Sequence, residues 1–356
     1  MKHHKLLLLS AVTIVIIITA AIFTQSRAPR TTIEKETLFP ELANRINNVT
    51  RIEIKSSEDP DVILQKMEGG QWALQSADNY PAQFDKVKDV VVSLSQLKIL
   101  ATKTDNPKLY PELGVEGPEG NNTSSLLLTL SDQSGTTLAS LIVGKPRKSS
   151  TGSNRPNHYV RKADAKNALL IEGYLQLKPN NNAWYERNVI HIPASRIQGV
   201  DIVKSNGEHL LIRKHARGDT DFKVIEGNTA SPSVLLNKLG TFIEDMHVEG
   251  VHAADNFKFP DHATITTFTT FSGLIITVRN VHSDGKAFAH FSFKTSATSS
   301  GPLNTEAGDG IPESHSETIS VEEESQLWNQ FLSHWVYEIP EFKFETLDIN
   351  VAQSSE

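Results

Sequence analysis

Histidines, serines and one basic turn are the parts of this sequence whose side chains could do chemistry. The chain has 13 histidines, and two of them, His247 and His252, lie five residues apart in HVEGVH. Two zinc ligands on one helix face need the closer spacing of H-E-x-x-H, so this pair is not predicted to bind a metal. The serines lack a G-x-S-x-G elbow, so a serine nucleophile of the α/β-hydrolase type has no support.

The basic turn is VGKPRKSSTGSNRP at residues 143–156, which places Lys145, Arg147 and Lys148 in a Gly- and Ser-containing loop. These cations could contact phosphate groups, but the stretch lacks the G-x-x-x-x-G-K-[ST] spacing of a nucleotide cradle. A solvated turn and a docking site both remain open. The sequence therefore predicts no catalytic, cofactor-binding or metal-binding residues, and a protein that is not an enzyme and needs no cofactor.

Composition narrows the class of protein further. The 356 residues suggest about two domains. A formal net charge of -7 gives no general affinity for polyanions, so nucleic acid is not an expected partner. Because the chain has no cysteine, disulfides, a thiolate nucleophile, cysteine-ligated zinc and lipoprotein acylation are excluded.

Residues 1–30 predict a short cytoplasmic tail and a transmembrane anchor. The uncharged run at 6–23 is long enough to span a bilayer core, which needs about 20 apolar residues and at least about 17. A cleaved signal peptide is the alternative, but its apolar region is typically about 7 to 15 residues long. The available small-x-small site, Ser26 and Ala28, precedes Pro29, which we expect to hinder cleavage. We expect an uncleaved, single-pass protein of the bacterial inner membrane with most of the chain in the periplasm.

Beyond the anchor, alternating patterns predict strands at 51–55, 62–67 and 71–75. An apolar stripe with helical spacing then predicts a helix that begins just after Pro81 and carries Phe84, Val87, Val91, Leu94 and Leu97. A hairpin around DQSG and a strand at 157–162 come next.

The same succession returns after residue 195. Three strands are predicted from Ile197 onward, followed by a helix from Ser233 through Met246. After this helix, FKFPDHA occupies the position that KLYPELG occupies in the first half. A strand pair, ATITTFTTF and GLIITVRN, completes the pattern. We therefore predict an α+β fold with two tandem repeated units of antiparallel sheet plus helix, at residues 31–194 and 195–356.

Each unit ends in a similar phrase, AWYERNVIHIP and HWVYEIP. We predict that Trp184 and Trp335 occupy equivalent buried positions, each packed with a tyrosine against the core of its own unit. Before the second phrase, an acidic Ser- and Gly-rich stretch at 295–324 is predicted to be a surface loop, either a docking element or a tolerated insertion. Ser320 and Glu323 form a capping-box pattern that predicts a helix start.

Several stretches resemble a known family: LFPELANRINNVTRIEI, WALQSADNYPAQFDKVKDVVVSLSQLKILATKTDNPKLYPELGVE, LIVGKPRKSSTGSNRPNHYVRKAD and WYERNVIHIP. Together, over residues 38–260, they resemble the bacterial domain-of-unknown-function family 4340. The resemblance implies a single-pass membrane protein, commonly encoded beside permease and auxiliary subunits of gliding-motility-type ABC transporters. It supplies no catalytic residues. YVRKADAKNALLIEG departs from the more Gln-, Ser- and Trp-rich segment of that family.

Three functions remain as expectations. The first is a non-catalytic, extracytoplasmic accessory or scaffold protein of an ABC-type transport system, with permease or auxiliary subunits as partners. The second is a module that binds an envelope polymer or peptide, which would need an exposed aromatic cleft between the units. We instead expect Trp72, Tyr80, Tyr110 and Tyr159 to be core residues. The third is an envelope hydrolase, which would need two carboxylates, or a histidine and an acid, converging in a pocket.

Overall fold

The computed structural model describes residues 35–120, 123–147, 157–229, 232–296, 319–347 and 351–352. The predicted anchor at 6–23 lies outside these residues, as do positions 148–156 of the basic turn and 297–318 of the acidic loop. Within the described ranges, no helix combines the length and the hydropathy needed to cross a membrane. The described protein is a mixed α and β structure dominated by antiparallel sheet.

Nine antiparallel strands form the sheet of the first half. They are β1 (Arg51–Lys55), β2 (Val62–Lys66), β3 (Trp72–Leu74), β4 (Tyr80–Pro81), β5 (Lys98–Thr104), β6 (Leu126–Ser131), β7 (Thr137–Arg147), β8 (Asn157–Lys162) and β9 (Ala168–Glu172). Their order across the sheet is β4-β3-β2-β1-β6-β7-β8-β9-β5. The predicted strands at 51–55 and 157–162 are confirmed, whereas β5 and β9 were not predicted. In β9 the residues Ala168 to Ile171 are all buried, so the strand lacks the alternation that identifies a half-buried one.

Alternation explains the inner face of this sheet. In β1, Ile52 and Ile54 are fully buried while their neighbours are partly exposed, as the two-residue period of a strand requires. Helix α1 (Phe84–Ser95) adds Val87, Val91 and Leu94 to the same buried cluster, as predicted, whereas Leu97 is buried beyond the end of the helix. Phe84 is an exception: it is the first residue of the helix and is 59% exposed. A one-turn helix, α2 (Tyr110–Leu113), comes after β5.

Eight antiparallel strands form the sheet of the second half. They are β11 (Ile197–Val203), β12 (His209–Arg213), β13 (Lys223–Glu226), β16 (Gly250–Ala253), β17 (Thr264–Thr270), β18 (Leu274–Ser283), β19 (Lys286–Thr295) and β20 (Trp335–Ile339). Two short ladders complete the strands: β10 (Asn188–Ile190) pairs with β15 (Met246–His247), and β14 (Asn228–Thr229) pairs with β21 (Val351–Ala352). The helices are α3 (Ser233–Leu239), α4 (Val321–Leu332) and α5 (Glu341–Leu347).

The predicted helix from Ser233 through Met246 is wrong at its end. Helix α3 ends at Leu239, and Met246 lies in β15. A side chain at Gly240 would place its Cβ 2.8 Å from the Phe222 ring, so the chain approaches Phe222 closely at the point where the helix ends. The apolar spacing continued past this point because Phe242, Ile243 and Met246 are buried in turn and strand conformations instead.

The two sheets share one strand order. From β3 to β5 the first sheet runs β3-β2-β1-β6-β7-β8-β9-β5, and the second runs β13-β12-β11-β17-β18-β19-β20-β16. In both, a strand that comes after the helix lies at the far edge: β5 pairs with β9 in the first sheet, and β16 pairs with β20 in the second. This correspondence is the one that a tandem duplication predicts, and the unit boundary near residue 194 stays a prediction.

The two closing tryptophans are not equivalent, contrary to the prediction. Trp335 is the first residue of β20, the counterpart of β9, whereas Trp184 lies beyond β9 and directly after a 3-10 turn at Asn181–Ala183. Trp184 is 2% exposed, but Trp335 is only partly buried. The two phrases share local sequence, while strand pairing assigns them to different places in the repeat.

A seam of aromatic rings joins the halves into one core. The Tyr80 ring in β4 lies 5.1 Å from Tyr185, 4.8 Å from Trp335 and 6.3 Å from Tyr337, measured between centroids, in edge-to-face arrangements. The Asp78 carboxylate also accepts a hydrogen bond from the Ala253 backbone N–H at 2.9 Å. Trp335 therefore packs on the first half, and buried residues of both sheets form a single cluster.

Burial in this seam also changes the pKa values of the tyrosine hydroxyls. Burial raises the pKa of Tyr185 to about 12, and it raises the pKa values of Tyr80 and Tyr337 as well. The three hydroxyls therefore stay protonated near neutral pH, which fits a packing role.

Candidate binding cleft

A cleft of about 670 Å³ opens in the first half, between α1 and the segment directly after β9. This closing segment is defined here as residues 173–187. The cleft is lined by Lys86, Asp89, Val90, Ser93, Tyr174, Gln176, Lys178, Asn180, Asn182, Ala183, Trp184 and Arg187. Its volume lies within the roughly 300–1,000 Å³ typical of small-molecule sites.

One wall of the cleft is the outer side of α1. Lys86, Asp89, Val90 and Ser93 recur at helical spacing and line the cleft together, while Val87 and Leu94 are buried in the core. The amphipathic pattern that places α1 on the core therefore also fixes which residues face the cleft.

The other wall is the closing segment, which hydrogen bonds hold in place although most of it has no regular secondary structure. Asn181 accepts a hydrogen bond from Ser76 Oγ at 2.7 Å and donates to the Ser76 carbonyl at 3.1 Å. Trp184 donates from its indole nitrogen to the Lys178 carbonyl at 3.0 Å, and its own carbonyl accepts from the Gln83 N–H at 2.8 Å. These bonds tie the segment to the 3-10 turn at Gln75–Ala77, to the residue that caps the start of α1, and to itself.

Positive charge exceeds negative charge in the cleft. Lys86, Lys178 and Arg187 face a single carboxylate among the described lining residues, Asp89. Lys86 donates to the Ala183 carbonyl at 2.8 Å, and Arg187 donates from Nε to the Val248 carbonyl at 3.0 Å. Both cations therefore donate to neutral carbonyls, and neither forms a salt bridge within the described residues.

Three amide side chains add hydrogen-bonding capacity. Gln176, Asn180 and Asn182 line the cleft, and their side chains make no hydrogen bond within the described part of the chain. Tyr174 is 50% exposed at the cleft wall, and its ring centroid lies 6.1 Å from that of His158. Cations, amides and one exposed ring can bind a polar, anionic molecule.

The aromatic residues singled out from the sequence lie elsewhere. Trp72, Tyr80 and Tyr110 are buried, as predicted, and Tyr159 is partly buried. These four residues do not form the exposed aromatic cleft between the units that the binding-module function was predicted to need. The cleft of the structure lies within the first half and uses Tyr174.

The other candidate positions do not converge on the cleft. His247 is exposed on β15 and His252 lies on β16, and the described residues contain no cluster of three or more potential metal ligands. Lys145 of the basic turn donates to the carbonyls of Pro111 at 2.9 Å and Glu112 at 3.3 Å. Lys148 lies outside the described residues, so a docking role of this turn stays a prediction.

Sequence reasoning missed the closing segment. Its first residues, GYLQLKPNNN at 173–182, have three amides in succession and no sustained apolar period. That composition marks a loop, and a binding wall has the same composition. The available signal was the contrast with the second half, where EFKFETL begins one residue after β20.

Comparison with known proteins gives a family assignment. A search of curated proteins and a search of solved structures return no match. The family described as Domain of unknown function (DUF4340) matches residues 72–257, more than half of the chain, and this range contains α1 and the whole closing segment. The two sheets have matching strand orders, and the cleft lies inside the matched range. The chain belongs to the DUF4340 family.

Proposed function

We propose that this protein is a membrane-anchored, extracytoplasmic scaffold and accessory subunit of an ABC-type transport system, without catalytic turnover of its own. In this proposal residues 6–23 span the bacterial inner membrane and the two halves lie in the periplasm. The observation that supports it is the seam around Tyr80, which gives both sheets one core. A scaffold needs such coupling, because a partner bound on one half must be held at a fixed position relative to the other.

Anchor and folded halves would contribute differently. An anchor raises the effective concentration of the halves near a membrane partner, whereas specific recognition requires a folded surface. Replacing residues 1–28 by an unrelated anchor should therefore preserve association. The variant Tyr80→Ala, which removes the central ring of the seam, should weaken it.

The test is affinity purification of the full chain from native membranes, with the bound proteins identified by mass spectrometry. We expect permease or auxiliary subunits of one transporter to co-purify with the wild type and with the anchor-swapped chain. Co-purification that depends on the original anchor sequence and ignores the seam would contradict the proposal. Turnover of an envelope substrate that is abolished by one histidine or acidic substitution would replace it with the hydrolase alternative.

A second candidate function is binding of an envelope polymer, and the cleft between α1 and the closing segment favours it. The lining offers amides, cations and an exposed tyrosine, with Asp89 as the one carboxylate among the described lining residues. Such a lining suits binding more than acid and base chemistry, which in glycoside hydrolysis uses a pair of carboxylates. Binding and scaffolding are compatible, since the seam and the cleft use different residues of the closing segment.

A further inference from the structure

We infer that the cleft between α1 and the closing segment binds an acidic oligosaccharide, a polymer of sugars that carry carboxylates. The inference rests on the second candidate function and names its ligand. Three properties of the cleft carry it: amides without internal partners, a surplus of positive charge, and an exposed aromatic ring.

The amides match the hydroxyl groups of a sugar. Each amide side chain offers two N–H donors and one carbonyl acceptor, and a sugar hydroxyl both donates and accepts. Gln176, Asn180 and Asn182 have these groups available, since none of their side chains is hydrogen-bonded in the described structure. A bare phosphate or carboxylate, which only accepts, would leave the amide carbonyls without a donor.

The charges specify an acidic sugar rather than a neutral one. Lys86, Lys178 and Arg187 outnumber Asp89 at this surface, although the whole chain has a formal net charge of -7. The cleft is therefore positively charged, although the whole chain is negatively charged. Carboxylates on a sugar ring would form charge-assisted hydrogen bonds with these cations, which are stronger than neutral ones.

The exposed ring supplies the apolar contact that a sugar needs. Tyr174 is half exposed, and His158 lies against it with the ring centroids 6.1 Å apart. A sugar ring presents C–H groups on its faces, and an aromatic face is a rigid apolar surface that packs on them with little loss of side-chain entropy.

Peptides and nucleic acids fit less well. Peptides are recognised through a free strand edge, an apolar groove or an aromatic-lined proline groove. This cleft is formed by a helix and a loop, and its Val90 and Trp184 are buried, so it offers none of these. Single-stranded nucleic acid needs a series of stacking rings, and Tyr174 is the one exposed ring among the described lining residues.

The experiment measures calorimetric binding of two defined probes to the full chain in detergent micelles. One probe is a hexamer of mannuronic acid, and the other is the neutral cellohexaose. We expect the acidic probe to bind at least tenfold more tightly than the neutral one. Raising the salt concentration from 0.05 to 0.5 M should remove most of that preference, because salt screens exposed charges.

Matched variants locate the binding. Tyr174→Ala and Lys178→Met should each weaken binding of the acidic probe about tenfold, which corresponds to about 1.4 kcal/mol. Phe84→Ala and Lys88→Met are the controls, since both side chains are exposed on α1 and neither lines the cleft. All four residues are exposed, so the variants should fold, which circular dichroism checks.

Each outcome decides the inference. Equal affinity for both probes overturns the acidic specificity, and binding that is unchanged in Tyr174→Ala and Lys178→Met overturns the cleft as the site. No binding of either probe overturns the inference as a whole. If transporter subunits still co-purify in that case, the scaffold proposal stands while the ligand inference fails.

Discussion

The two halves of the molecule share a strand order and differ in the segment that comes after the last strand. In the first half, β9 leads into the irregular closing segment, which leaves the cleft beside the twelve-residue helix α1. In the second half, β20 leads almost directly into α5, which contacts the shorter helix α3. Lys343 of α5 donates to the Phe242 carbonyl at 2.8 Å, and Leu347 is 1% exposed.

This difference shows that the same arrangement of strands can leave a cleft beside its helix or have that region filled. A sheet plus helix leaves the outer side of the helix exposed, and the segment after the last strand decides what covers it. In the second half, helix α5 packs at the corresponding region through the buried Leu347 and the Lys343 hydrogen bonds. A polar, amide-rich segment in the first half leaves a site, so binding and packing are divided between the two halves.

Helix α4 is a second difference, since it lies between β19 and β20 while a short turn joins β8 to β9. Ser320 caps it as predicted: its hydroxyl accepts from the Glu323 N–H at 3.2 Å, and the Glu323 carboxylate accepts from the Ser320 N–H at 2.8 Å. Glu324, 2% exposed, forms two hydrogen bonds of 2.8 Å with Arg196, which precedes β11. This buried pair fixes α4 to the start of the second sheet.

The largest expected effect comes from breaking that pair. Arg196→Met leaves the buried Glu324 carboxylate without its cation, which should cost about 3–5 kcal/mol of unfolding free energy. The double variant Arg196→Met with Glu324→Leu should recover most of the loss, because neither charge then remains buried alone. Urea denaturation monitored by circular dichroism measures both. A double variant as unstable as the single one would show that the pair itself is required.

The next prediction separates the two tryptophans. Trp184→Ala should cost about 3–5 kcal/mol, because it removes a fully buried ring and an indole hydrogen bond. Trp335→Ala should cost less, about 2 kcal/mol, because the ring is partly buried and contributes mainly through its contact with Tyr80. Equal losses of unfolding free energy in urea denaturation would indicate that the two tryptophans are equivalent, which the strand order argues against.

A smaller effect compares the two lysines that hold the closing elements. Lys343→Met should cost about 1.5 kcal/mol, because the partly buried ammonium group donates to backbone carbonyls of the Thr241–Phe242 turn. Burial lowers the pKa of Lys343, although Asp245 and Glu244 oppose this shift. Lys86→Met, at an exposed site, should cost about 0.5 kcal/mol or less. The reverse order, measured by thermal or urea unfolding, would mean that α5 is not held more firmly than the cleft wall.

The smallest effect is a pH dependence confined to the first half. Burial lowers the pKa of His158 below its ordinary value of 6.5, so the folded state binds fewer protons than the unfolded state. Stability contributed by neutral His158 is then present above pH 6.5 and is lost as the pH falls through and below that value. His158→Phe should flatten the slope of unfolding free energy against pH between 7.5 and 5, as measured by urea denaturation. His247→Asn, at an exposed site in the second half, is the control, and an equal flattening there would contradict the assignment.

The sequence by itself determined the local elements. The two-residue period of β1 and the stripe of Val87, Val91 and Leu94 set which side of each element is buried. The Ser320 and Glu323 cap is also local, because its hydrogen bonds connect residues three apart. The repeated succession of elements indicated two similar sheets, and the strand orders agree with it.

Only the tertiary structure decided where these elements meet. The Trp184 and Trp335 phrases look alike, yet pairing of β20 with β16 and β19 places Trp335 in a strand and Trp184 in a loop. The cleft joins α1 to a segment about 90 residues away, and the seam joins Tyr80 to residues more than 250 positions later. Sequence periodicity indicates which side of an element is buried. Contacts between residues so far apart in the chain depend instead on how several elements pack at once. The mixed α and β character of the fold could therefore be predicted from the sequence, while the cleft could not.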